Sequence, residues 1–89
     1  MNDWMRSSVS NNALGFLRTD LDTALTFLDV AESTDNEATR QRNHANARLA
    51  YDTVVRLMQS LLLDDTQRGE LTEKLALLKS RLQNVGQHF

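Results

Sequence analysis

The stretch Ser33-Thr34-Asp35-Asn36 decides how this chain folds, because it interrupts an otherwise continuous helical pattern. With the Glu37 that follows, it predicts a capping box in which the Thr34 hydroxyl accepts from the Glu37 N–H and the Glu37 carboxylate reaches back. A second break, Asp64-Asp65-Thr66, opens on Asp64-x-x-Gln67, a cap that also sets a negative charge at the positive end of a helix dipole. Each break stops one helix and starts the next within a few residues.

Outward from these breaks, three segments share one period. Leu14, Leu17, Leu21, Ala24, Leu28 and Ala31 step by three and four residues. So do Ala47, Tyr51, Val54, Met58 and Leu61, and so do Leu71, Leu75, Leu78, Leu82 and Val85. Each series puts a narrow apolar stripe on one helix face, and three stripes on one short chain close on each other. The expectation is an all-α, antiparallel up-down-up three-helix bundle with an N-terminal helical extension. Residues 1–89 form one domain, with helices over about 10–33, 35–63 and 65–86.

Tight turns make sequential helices antiparallel, so a register can be written. Paired positions should total roughly 68 across the first turn and roughly 129 across the second. The layers then read Leu14–Val54–Leu75, Leu17–Tyr51–Leu78, Leu21–Ala47–Leu82, Ala24–His44–Val85 and Leu28–Arg40–Phe89. Met58 and Leu61 would lie bare unless the first helix extends past Ser10, which brings Val9, Met5 and Trp4 onto that end. A docked Trp4 would contribute on the order of 2 kcal/mol. The rival reading starts the main helix at Thr19 and leaves a short separate helix before it.

The bulk composition narrows the function classes. The 89 residues are 40% hydrophobic and 25% charged, which is ordinary for a globular protein. There is no proline and no cysteine, so disulfides and thiolate metal sites are excluded and a reducing, cytoplasmic setting is expected. Residues 1–10 lack the apolar run of a secretory signal, and Leu61-Leu62-Leu63 is far too short to span a bilayer. The net charge of −2 argues against bulk nucleic-acid binding.

The second helix is polar on nearly every side from Asn36 to Asn46. Extending its stripe backwards puts His44 and Arg40 at core positions, where an unpaired charge would be costly. Either the bundle end is splayed and solvated, with Arg40 lying over Leu28, or a polar groove accepts a partner helix or an anion. Arg40, His44 and Arg48 also form an i, i+4, i+8 basic stripe that could neutralise phosphates. Asp20, Asp22, Asp29 and Glu32 on the first helix are available to pair with it. A neutral His44 buried beside Ala24 and Val85 would make the fold lose stability on acidification.

Catalytic and cofactor readings find little. The run His44-Ala-Asn-Ala-Arg48-Leu lacks the Lys and Gly expected after a phosphoacceptor histidine. His44 and His88 are not at metal-ligand spacing, and Asp64-Asp65 reads as a cap rather than an acid/base pair. No catalytic, cofactor or metal residue is assigned, and the chain is expected not to be an enzyme. Surplus apolar residues remain outside the stripes: Phe16, Phe27, Val30, Leu49, Leu62 and Leu63. They favour a module that binds a partner helix or self-associates, with Phe27, Leu62, Arg40, His44 and Arg48 as candidate interaction residues. The alternative is a small nucleic-acid or anionic-ligand binder using the basic stripe.

Between Asp20 and Leu82, the Ala47-x-x-Ala50-Tyr51 run and Lys74 followed by Arg81 resemble the microtubule-interacting-and-transport domain. That resemblance implies a three-helix module taking short partner helices in its interhelical grooves. Leu82 stands where such domains place a small residue, which would crowd the groove they use. The same Ala47-x-x-Ala50-Tyr51 run would suit a tetratricopeptide-type helix, but no second repeat exists.

Overall fold

A computed structural model describes the backbone of residues 3–89 and the side chains of residues 12–89. Three helices follow one another: α1, Asp3–Ser33; α2, Glu37–Met58; and α3, Asp65–Asn84. They form an all-α, up-down-up bundle in which α1 packs against both α2 and α3. α1 is continuous, so no separate helix precedes Thr19. The expected docking of Trp4, Met5 and Val9 falls outside the described side chains.

The three stripes meet in one core, except at Val85, which lies past the end of α3 and is 42% exposed. Leu14, Leu17, Leu21, Ala24, Leu28, Ala47, Val54, Met58, Leu71, Leu75, Leu78 and Leu82 are all buried in one core. Leu25, Phe27, Tyr51, Val55 and Leu57 pack around it as half-buried flanks.

The turns differ from the expected ones. At the first, the cap is Asn36 rather than Thr34: its Oδ1 accepts from the Thr39 N–H at 2.9 Å. Thr34 Oγ1 accepts from the Asn36 N–H at 3.2 Å and so shapes the turn instead of capping the helix. Glu37 is left to accept from Arg40 Nη1 and, at 2.8 Å, from Gln41 Nε2. The Gln41 hydrogen bond first, then the charge of Arg40, holds the Glu37 carboxyl below its ordinary value of 4.5. A lowered folded value means this contribution is present above 4.5 and is lost as pH falls through the folded value. The protection factors of the Arg40 and Gln41 amides, with the intrinsic exchange rate divided out, should therefore fall on acidification below pH 4.5, and a Glu37→Gln chain should lack the effect. Equal acid sensitivity in both chains would remove this role.

At the second turn the full capping box expected at Asp64 forms. Asp64 Oδ1 accepts from the Gln67 N–H at 2.7 Å, and Gln67 Oε1 accepts from the Asp64 N–H at 3.0 Å. Asp64→Ala should cost about 1 kcal/mol in chemical denaturation, and an unchanged midpoint would count against the cap. α2, however, ends at Met58 and not at residue 63. Ser60 Oγ donates back to the Leu57 carbonyl, and beyond it the chain leaves the helix. Leu61 and Leu63 turn inward while Leu62 stays 65% exposed, the period-two alternation of an extended segment.

This early stop resets the register. With α1 ending at Ser33 and α2 starting at Glu37, facing positions total about 70. With α2 ending at Met58 and α3 starting at Asp65 they total about 123, against the expected 129. α3 should then lie alongside α1 with an offset near 53. The ion pairs across that interface agree: Arg18–Glu70, Asp22–Lys74 and Asp29–Arg81 are each 52 residues apart, at 2.7, 2.8 and 2.9 Å. Ala24, Ala47 and Leu75 therefore share one level, followed by Leu28, Asn43 and Leu78, then by Ala31, Arg40 and Leu82. None of the five expected layers forms, from Leu14–Val54–Leu75 through Leu17–Tyr51–Leu78, Leu21–Ala47–Leu82 and Ala24–His44–Val85 to Leu28–Arg40–Phe89, because each sets its α3 member too far along for the 52-residue offset.

The chain's last residues fold back. Gly86, at φ 97, lets the Gln87 N–H reach the Leu82 carbonyl and its own N–H reach the Gln83 carbonyl, a left-handed helix end that a side chain would strain. The reversal lays Phe89 against α2, its ring edge-on to Tyr51 at 4.9 Å and 3.8 Å from the Arg48 guanidinium.

Candidate interaction groove

Among the described residues, the outer faces of α1 and α2 away from α3 have no partner. α3 covers one side of the α1–α2 pair, where Arg18, Asp22, Asp29 and Glu32 of α1 meet its charges. On the opposite side an open groove of about 440 Å³ runs between α1 and α2. Phe16, Asp20 and Phe27 form one wall, Asn46, Leu49 and Thr53 the other, and Ala50 the floor. The walls are apolar in the parts that project: Phe16 is 60% and Leu49 66% exposed, while Phe27 leans onto the core. Asp20 is half-buried in the wall and has no ion-pair partner among the described residues.

The groove arises because α1 carries a second stripe beside its core one. Phe16, Asp20, Thr23, Phe27 and Val30 recur at four, three, four and three residues, the spacing that keeps a line of side chains on one helix face. Arg42, Asn46, Leu49, Thr53 and Arg56 do the same on α2. Core stripes face α3 and each other, so these second stripes face out together.

The candidate residues read from sequence are dispersed. Phe27 lines the groove. Leu62 lies in the α2–α3 connection, near the opposite end of the bundle, and does not share a face with Phe27. Arg40 is a structural clasp: its Nε and Nη2 donate to the Ala31 and Thr34 carbonyls at 3.2 and 2.6 Å, satisfying the end of α1. Arg48 donates to Asp52, to Gln87 Oε1 and to the His88 carbonyl while stacking on Phe89. His44 stands half-buried beside the core stripe, not in it. The buried position belongs to Asn43, whose amide is satisfied by the Thr39 carbonyl at 2.8 Å.

The basic stripe thus presents two arginines already engaged within the chain. The α1 acids expected to pair with it pair with α3 instead: Asp22 with Lys74, and Asp29 and Glu32 with Arg81. Donating to Glu32, and then to Asp29, holds Arg81 above its usual value and keeps it charged.

Among the described residues no three metal-ligating side chains converge, and no helix is long and apolar enough to cross a membrane. The chain matches no protein-family model, no curated protein and no solved structure. Its class is therefore set by its own geometry: a three-helix bundle with an open apolar groove on the face away from α3.

Proposed function

We propose that this chain is a non-enzymatic interaction module, suited to the cytoplasm, that takes an apolar helical surface into the α1–α2 groove. The observation that carries this reading is the exposure of Phe16 and Leu49, on facing walls above Ala50. A helix laid there would bury both, and burial of large aromatic and aliphatic side chains is the usual driving term for helix-in-groove binding. The sequence likeness to the microtubule-interacting-and-transport domain points to the same mode. Lys74 and Arg81, which carry part of that likeness, are engaged with α1 carboxylates, so the open groove is the α1–α2 one.

A nucleic-acid or anion binder built on Arg40, His44 and Arg48 gains no support, because binding there would first have to release Arg40 and Arg48 from their partners. The test places a photoactivatable cross-linking residue at Asn46, in the wall, and at Leu77, exposed on α3. In cells that make the protein, linkage to a protein chain should occur from position 46, fall sharply when Phe16→Asp is added, and be weak from position 77. Equal linkage from both positions would overturn the groove as the binding face.

A further inference from the structure

We propose that the groove face packs against the same face of a second copy of this chain, related by a two-fold axis that crosses the groove at Leu49; this rests on the groove being the binding face. A two-fold interface requires a patch complementary to itself, so that each residue meets its own symmetry mate's counterpart. Few surfaces satisfy that condition, and both walls of this groove do.

On α1 the second stripe is a palindrome in chemistry. Phe16 and Phe27 lie at equal distances from its midpoint, as do Asp20 and Thr23, and as do Ala13 and Val30. Two antiparallel copies of α1 would set Phe16 of one against Phe27 of the other. Each Asp20 carboxylate would face a Thr23 hydroxyl of the other copy, an acceptor against a donor. The half-buried carboxylate that has no ion-pair partner within one chain gains a hydrogen-bond donor across the axis. An Asp20 opposite another Asp20 would have excluded the arrangement, and the spacing avoids it.

On α2 the centre is Leu49, which meets Leu49 of the other copy. Asn46 meets Thr53 on either side of it, and Arg42 approaches Arg56 at the rim. The two patterns are independent, yet their midpoints agree to within about one residue, or about 1.5 Å along the helix. The α1 midpoint falls between Leu21 and Asp22, and facing positions that total about 70 put it opposite residues 48 and 49. Coincident midpoints are what a single two-fold axis demands.

The size of the face sets the strength. From Ala13 to Val30 it is about 26 Å long. With the bundle's 18 Å width it covers on the order of 450 Å² per copy. Twice that, about 900 Å² in all, falls in the range of weak, reversible interfaces, so the dimer should dissociate readily on dilution. The rim adds a signature: Arg42 and Arg56 repel across the axis, and salt screens that repulsion, so the dimer should tighten as salt rises.

Sedimentation velocity on the full chain from about 5 to about 500 µM tests this. The expected result is a monomer–dimer equilibrium weakened at least tenfold by Leu49→Asp and unchanged by Leu77→Asp, both exposed positions at which folding is checked by circular dichroism. Because the chain has no cysteine, Leu49→Cys should give a dimer linked to itself under mild oxidation, and Leu77→Cys should not. A strict monomer at every concentration, or a dimer indifferent to Leu49→Asp, overturns the proposal. A monomer whose position 46 still cross-links a different protein overturns the two-fold dimer alone and leaves the groove reading standing.

Discussion

Leu21→Ala should lower the free energy of unfolding by about 3–4 kcal/mol. Leu21 has no exposed surface and sits in a core lined by all three helices, so the cavity left behind should collapse only in part. A bundle of this size is expected to hold about 5–10 kcal/mol in all, so the loss is a large fraction of its stability. Leu49→Ala provides the contrast: Leu49 is 66% exposed, and the same truncation there should cost well under 1 kcal/mol in the monomer. Urea denaturation of both variants at a concentration that keeps the chain monomeric reads the difference. Similar losses at the two positions would mean that the stripe through Leu21 is not the core.

Ala47→Leu should destabilise the bundle by about 2 kcal/mol, through crowding and not through a cavity. Ala47 and Ala24 are both fully buried and stand at the same level on facing helices. Small side chains at one level allow a close approach of α1 and α2, and Leu75 of α3 belongs to the same buried core. Three more carbons at that point must push α1 away from α2 along the tightest part of the core. A thermal midpoint lowered by several degrees is expected, and the same substitution at the exposed Asn46 should leave it near the wild-type value. An unchanged or raised midpoint for Ala47→Leu would place the close approach elsewhere.

The three stripes were legible because the apolar residues of each helix repeat at three and four residues. The Asp64 cap was legible for a similarly local reason, an acceptor followed three residues later by a glutamine. The end of α2 was not. Leu61-Leu62-Leu63 continues the apolar pattern, and a run of identical residues fits a helix and an extended segment equally well. Only the inward Leu61 and Leu63 with the outward Leu62 distinguish the two, and that alternation is a property of packing.

A register total is twice the midpoint of its turn, so moving the midpoint by three residues moved every α2–α3 partner by six. A heptad pattern resists such a slip poorly, since a shift of about seven returns the same stripe to the same face. Asn43 was missed for a related reason. Counting back from Ala47 by three gives His44 and by four gives Asn43. The choice falls to the side chain that can satisfy itself locally, which Asn43 does through the Thr39 carbonyl. In the groove, Phe16, Phe27 and Leu49 were visible as surplus apolar residues. Leu62 was grouped with them only because exposure on a helix and exposure in a connection look alike in sequence.

Because there is no native cysteine, paired spin labels report the α1–α3 register directly. Labels at Arg18 and Glu70 should sit closer together than labels at Arg18 and Lys79, since the two α3 sites differ by nine residues, or about 14 Å along the helix. A shorter distance for the Arg18–Lys79 pair would contradict the 52-residue offset. The core layers and the placement of the groove would then have to be redrawn.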